Sequence, residues 1–173
     1  MYDVSQIRAD FPILAREVNG KPLVYLDNGA SSQKPEEVIS VMNQVYKDEY
    51  ANVHRGLHYL SNQATEKYES VRGIVARFLN ASDENEIILN SGTTEGINMG
   101  AYGWAMEHLK SGDNIVLSVM EHHANIVPWH FLRERMGIKL KWVEIDDDGN
   151  LDPQSVIDAI DKNTKLVAIT HMS

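Results

Sequence analysis

A chain of 173 residues with 25 acidic and 16 basic side chains has a formal net charge of -9, and it contains no cysteine. With 43% hydrophobic and 24% charged residues it has a globular composition, unlike a disordered segment. The acidic balance argues against broad nucleic-acid binding, the missing cysteines exclude disulfides and thiolate metal sites within these residues, and no apolar run approaches the roughly 18 residues of a membrane span. The N-terminus lacks the apolar stretch of a signal peptide, so a soluble, cytoplasmic chain is expected.

The first half alternates short apolar clusters with turn residues. Leu23-Val24-Tyr25-Leu26, between Lys21-Pro22 and Asp27-Asn28-Gly29, has the pattern of a short strand. Pro35-Glu36-Glu37 followed by Val38, Val41, Val45 and Tyr46 predicts a helix with proline at its first turn. Over residues 62–79, Ala64, Tyr68, Val71, Val75 and Phe78 keep helical spacing and predict a core-facing helix.

From residue 85 the rhythm becomes strand, helix, strand, helix. Strands are predicted over 86–89, 114–119, 139–145 and 165–170, and helices over 94–109, 124–135 and from Asp152-Pro153 to Ile160. Asp146-Asp147-Asp148-Gly149-Asn150 is a turn whose carboxylates lack the calcium-loop pattern. Strands alternating with helices of this length imply an α/β fold, a parallel sheet with helices on both faces. In such sheets ligands bind beyond the carboxyl ends of the strands. Ser173 follows the fourth strand by three residues, so the chain is expected to be part of a longer protein.

Four stretches are candidates for chemistry. Asn90-Ser91-Gly92-Thr93-Thr94-Glu95 follows a predicted strand and opens a helix, where unsatisfied N–H groups and the helix dipole favour an anion. Gly92 permits close backbone approach and the hydroxyls of Thr93 and Thr94 add donors, which makes a phosphate cradle. An ordinary threonine N-cap is the plainer alternative. Glu121-His122-His123-Ala124-Asn125 follows the next strand. It suits a metal site with Glu121 as third ligand, an imidazole stacked on a flat ligand, or simple capping histidines. Asn52-Val53-His54-Arg55-Gly56-Leu57-His58 offers a guanidinium for a carboxylate substrate, or a surface arginine. Asp27-Asn28-Gly29-Ala30-Ser31-Ser32 allows close approach of a ligand, or forms a tight turn.

Taken together, Arg8-Ala9-Asp10-Phe11-Pro12, Tyr25-Leu26-Asp27, Val53-His54-Arg55-Gly56, Gly92-Thr93-Thr94-Glu95-Gly96-Ile97-Asn98, the run from Glu121 to Trp129 and Ile169-Thr170-His171 resemble one family. It is the SUF-type (group II) branch of the pyridoxal-phosphate-dependent cysteine desulfurases, related to selenocysteine lyases, within the class V aminotransferases. The resemblance covers almost the whole chain, and the EHHANIVPW run is specific to this branch. It implies a fold type I enzyme in which residues 1–20 contribute to a small domain and residues 21–173 form the N-terminal part of the cofactor-binding large domain.

The resemblance further implies that Gly92, Thr93 and Thr94 hold the phosphate of pyridoxal 5′-phosphate. His122 would stack on its ring and assist proton transfers, and Gly29, Ala30, His54 and Arg55 would line the substrate mouth, partly across a homodimer interface. The implied reaction converts L-cysteine to L-alanine and passes persulfide sulfur to an acceptor protein for iron–sulfur cluster assembly. Selenocysteine lyase, another class V pyridoxal enzyme and a non-catalytic binding module are the alternatives. The family's Schiff-base lysine, pyridine-pairing aspartate, persulfide cysteine and carboxylate-binding arginine have no counterpart in these residues. The isolated chain is therefore expected to be inactive. Later strands of the family's sheet are also expected to separate segment 86–89 from 165–170.

Overall fold

The computed structural model describes residues 2–172. Two compact units divide it, Met1–Ile88 and Leu89–Ser173.

The first unit opens with α1 (Val4–Ala9), capped by the Asp3 carboxylate on the N–H groups of Ser5 and Gln6. A two-residue antiparallel pair follows, β1 (Glu17–Val18) with β2 (Lys21–Pro22). Then come α2 (Glu36–Gln44), which runs on into a π-turn at Val45–Glu49, and α3 (Tyr59–Leu79). Pro35 is the N-cap of α2, and Asn80, at φ 56°, ends α3 in the left-handed conformation.

Two expectations fail in this unit. Residues 23–26 form no strand, and Leu26 is 89% exposed. An apolar run becomes a strand only where a neighbouring backbone takes its hydrogen bonds, and among the described residues only the Leu23 N–H finds one, on the Arg16 carbonyl at 2.9 Å. The helical spacing of α3 is correct, yet its apolar face is not core. Phe78 is 87% exposed, Tyr68 and Val71 are also exposed, and Ser61 and Ala76 are the buried residues of the helix. Periodicity specifies a helix; what covers its apolar stripe is set elsewhere.

The second unit is a three-layer α/β arrangement. Its parallel sheet has the order β4 (Lys139–Val143), β3 (Asn114–Ser118), β5 (Thr164–Ala168). Every residue of β3 is buried, as befits a central strand covered on both faces. Alternation sends Ile115 and Leu117 to one face and Val116 to the other.

On the first face Ile115 and Leu117 pack with Ala101, Ala105, Leu109, Trp129, Leu132 and Ile138. Ala101 and Ala105 lie on the π-turn Gly100–Ala105 that continues α4 (Thr93–Met99), and Leu109 caps α5 (Met106–His108). Trp129 and Leu132 lie on α6 (Val127–Met136). On the second face Val116 and Val143 meet Val156 of α7 (Pro153–Ala159), a helix capped by Asp152 on the N–H of Gln154. Helices on both faces of a parallel sheet are thus observed.

The predicted strand 86–89 is the remaining correction. Glu84–Glu86 is a 3-10 turn, and residues 87–90 run extended without a partner, with Ile88 63% exposed. No strand among the described residues pairs with it.

At the amino end of the sheet Asp161 accepts from Lys141 Nζ at 2.8 Å, Asn114 Nδ2 at 3.0 Å and the Asn163 N–H at 2.8 Å. Its carboxyl lies well below the ordinary value of 3.8, chiefly because of the Lys141 hydrogen bond and then that from Asn114. A carboxyl depressed in the folded state contributes stability above the unfolded value and loses it as pH falls toward the folded one. The stability gap between wild type and D161N should hold near neutrality and close progressively below pH 3.8. Urea unfolding across acidic pH measures it, and a gap that persists into strong acid would show the group is not ionised through this network.

Candidate active site

The second unit brings two of the four candidate stretches together at the carboxyl end of the sheet, because the His123–Asn125 turn packs against α4. Gly92 is the N-cap of α4, with φ 141° and ψ 174°, a region only glycine occupies freely. The threonine N-cap alternative is therefore set aside: no side chain caps α4, so the first-turn N–H groups of Thr93 and Thr94 have no side-chain acceptor among the described residues. Side chains shape the turn before it. Asn90 Oδ1 accepts from the Gly92 N–H at 2.9 Å, and Glu95 Oε2 accepts from both the N–H and the hydroxyl of Ser91. The Ser91 hydroxyl, followed by its amide, holds the Glu95 carboxyl below the usual carboxylate range.

Beyond β3 the chain leaves regular structure, and His122 caps the His123–Asn125 turn. Its Nδ1 accepts from the Ala124 N–H at 3.1 Å, so the neutral ring carries its proton on Nε2. The imidazole is exposed and meets His123 edge-on at 6.1 Å. The capping reading thus holds for His122, and it leaves the ring's faces and Nε2 free for a ligand. Glu121 is not placed as a third ligand beside the two histidines. Glu121, 8% exposed, turns inward to Ser118, Asn125 and Thr170, and no cluster of three or more metal-ligating side chains occurs among the described residues.

The substrate-side candidates all lie in the first unit. Gly29 and Ala30 sit in an exposed turn closed by the Ala30 and Ser31 N–H groups on the Asp27 carbonyl. His54 and Arg55 are consecutive non-glycine residues in the left-handed region, at φ 61° and 54°, which stores strain of about 1–3 kcal/mol each. The start of α3 holds that turn: the His54 N–H donates to Thr65 Oγ1 at 2.9 Å, and Ser61 Oγ donates to the Asn52 carbonyl at 2.7 Å. A Cβ on Gly56 would stand 2.0 Å from Ser61 Oγ, so only glycine fits. His54 Nε2 lies 3.1 Å from Glu69, whereas Arg55 makes no salt bridge among the described residues. No hydrogen bond among the described residues joins the 27–32 turn to the 52–58 turn.

The cradle fits a phosphorylated aromatic cofactor on its own geometry. A Cβ built on Gly92 meets nothing within 4 Å, so the space before Thr93 and Thr94 is open. The donors at this helix start are the amides and hydroxyls of Thr93 and Thr94, the set that suits a phosphate monoester. His122 adds an exposed flat ring in the same unit.

Comparison with known proteins agrees with this geometry. The chain belongs to the class V aminotransferases, matching that family over residues 24–173. It is 51% identical over 172 residues to a cysteine desulfurase of Escherichia coli O7:K1, covering 99% of this chain and 42% of that relative's length. The apo cysteine desulfurase of Thermococcus onnurineus NA1 superposes with a TM-score of 0.87 at 40% identity, over 100% of this chain and 41% of that one. The Escherichia coli cysteine desulfurase CsdA gives 0.77 at 35% identity, over 96% and 41%. The fold is thus that of the pyridoxal-phosphate enzymes of fold type I, and the chain spans about two fifths of the relatives it matches.

Proposed function

We propose that this chain supplies the phosphate-binding and ring-stacking residues of a pyridoxal-phosphate-dependent cysteine desulfurase of the SUF type. One observation carries the reading: in a single unit, an uncapped glycine-led helix start lies beside a loop bearing an exposed, oriented imidazole. The N–H and hydroxyl groups of Thr93 and Thr94 hold the cofactor phosphate, and the bare Cα of Gly92 lets it approach. The His122 ring packs on the flat cofactor, and its Nε2 is the atom that gives up or receives a proton. When bound, pyridoxal 5′-phosphate supplies an electron sink for the substrate.

Gly29, Ala30, His54 and Arg55 form the substrate mouth in this reading, in part across a homodimer interface, with the Arg55 guanidinium available to an amino-acid carboxylate. The carbon–sulfur bond of L-cysteine breaks, the sulfur passes to an enzyme thiol as a persulfide, and the remaining carbon skeleton takes a proton to leave as L-alanine. That thiol lies outside these 173 residues, which contain no cysteine. The persulfide then goes to an acceptor protein for iron–sulfur cluster assembly. A persulfide needs a thiol kept reduced, which supports a cytoplasmic site. We also assign residues 1–20 to the smaller domain of the full enzyme.

The full-length protein, loaded with pyridoxal 5′-phosphate and given L-cysteine, should form alanine and reducible sulfur in equal amounts. Turnover of selenocysteine with none of cysteine would make it a selenocysteine lyase. Turnover of neither would remove the enzymatic reading.

A further inference from the structure

We infer that Glu121 is a positioning residue that anchors the His122 loop to the ends of β3 and β5, an inference that rests on the assignment of His122 above. A buried carboxylate must have its oxygens satisfied, and donors from three separate places meet those of Glu121. Ser118 Oγ, the last residue of β3, donates to Oε1 at 2.5 Å, and the Thr170 N–H, just beyond β5, donates to the same oxygen at 2.9 Å. Asn125 Nδ2 donates to Oε2 at 2.8 Å.

Asn125 extends the network. Its Nδ2 also donates to the Ala168 carbonyl of β5 at 3.1 Å, and its Oδ1 accepts from Trp129 Nε1 of α6 at 2.9 Å. Both amide hydrogens and the amide oxygen are used, so the orientation of this side chain is unambiguous. One irregular segment is thereby tied to two adjacent strands and a helix, and of its two exposed imidazoles His122 is the one directly bonded in sequence to the anchor. The Asn125 N–H closes on the His122 carbonyl at 2.8 Å, which carries the anchoring to the histidine backbone. The Ala124 N–H then sets the ring through Nδ1.

Glu121 touches neither the ring nor the cradle. It acts only through where it holds His122. Glutamine at this position keeps the shape but replaces one acceptor oxygen with an NH2. That NH2 must face either Asn125 Nδ2 or the Ser118 and Thr170 donors, so the network breaks on one side. S118A removes a single donor and is the milder variant.

The test uses the full-length holoenzyme and two readouts. Hydrogen exchange of E121Q should rise about tenfold within residues 119–126 and stay unchanged in β3 and β4, with S118A showing a smaller rise in the same segment. The kcat of E121Q should fall about tenfold to hundredfold with little change in KM, the scale expected when a reacting group is displaced by about an ångström. In an H122A background, E121Q should cost nothing further in kcat.

Unchanged exchange over 119–126 in both variants, or an undiminished E121Q effect in the absence of His122, would overturn the inference. The exchange readout needs no turnover. A wild-type protein without desulfurase activity would therefore count against the proposed function, while the exchange result would still decide whether Glu121 anchors the loop.

Discussion

Leu117→Ala is expected to lower stability by about 2–5 kcal/mol, among the largest effects a single truncation can produce in this molecule. Leu117 sits on the central strand, is fully buried, and faces Trp129 and Leu132 across the layer of α4 and α6. Removing three carbons there leaves a cavity that rigid strand neighbours on both sides cannot fill, since β3 is hydrogen-bonded to β4 and β5 along its length. The lost contacts join the transfer cost rather than replacing it. Urea unfolding followed by circular dichroism measures the loss. A change below about 1 kcal/mol would mean that this face repacks freely and is not the core described here.

Gly92→Val should abolish retention of pyridoxal 5′-phosphate while leaving the sheet folded. Two penalties coincide at this position. Valine is forced into a backbone conformation, φ 141° and ψ 174°, that costs a β-branched residue about 1–3 kcal/mol or more. Its side chain also enters the open space where a phosphate would meet the amides of Thr93 and Thr94. If the helix start instead shifts to relieve the strain, the cradle is lost by another route and the result is the same. Far-ultraviolet circular dichroism close to wild type together with loss of the cofactor's visible band is the expected pattern. Full cofactor retention in this variant would place the phosphate elsewhere.

Where strands have neighbours, their sequence pattern was sufficient. Residues 114–118 and 164–168 lie in apolar runs and 139–143 alternates apolar with polar, and each pairs within a residue or two of the expected bounds. Residues 23–26 and 86–89 are apolar runs of the same kind and form no strand, because a local pattern cannot report whether a full partner backbone is present. The apolar stripe of α3 shows the same limit, with correct spacing and a face left exposed.

The helix start proposed as the cradle was legible because its pattern is local: a glycine with φ beyond 140° and two hydroxyl residues occupy three consecutive positions. The role of Glu121 was not. Read locally it is a carboxylate beside two histidines, and so a possible metal ligand. Of the three donors that hold it inward, Ser118 and Asn125 are local but Thr170 is 49 residues away, and no spacing rule reaches that far.

In the proposed enzyme Gly92, Thr93, Thr94 and His122 form the pyridoxal 5′-phosphate site. Titrating the cofactor-free full-length protein with pyridoxal 5′-phosphate, while recording visible absorption and circular dichroism, tests it most directly. Saturable binding with an induced visible circular dichroism band that H122A alters and T93A/T94A weakens is the predicted result. Binding unaffected by all three substitutions, or no saturable binding to the wild-type protein, would contradict it.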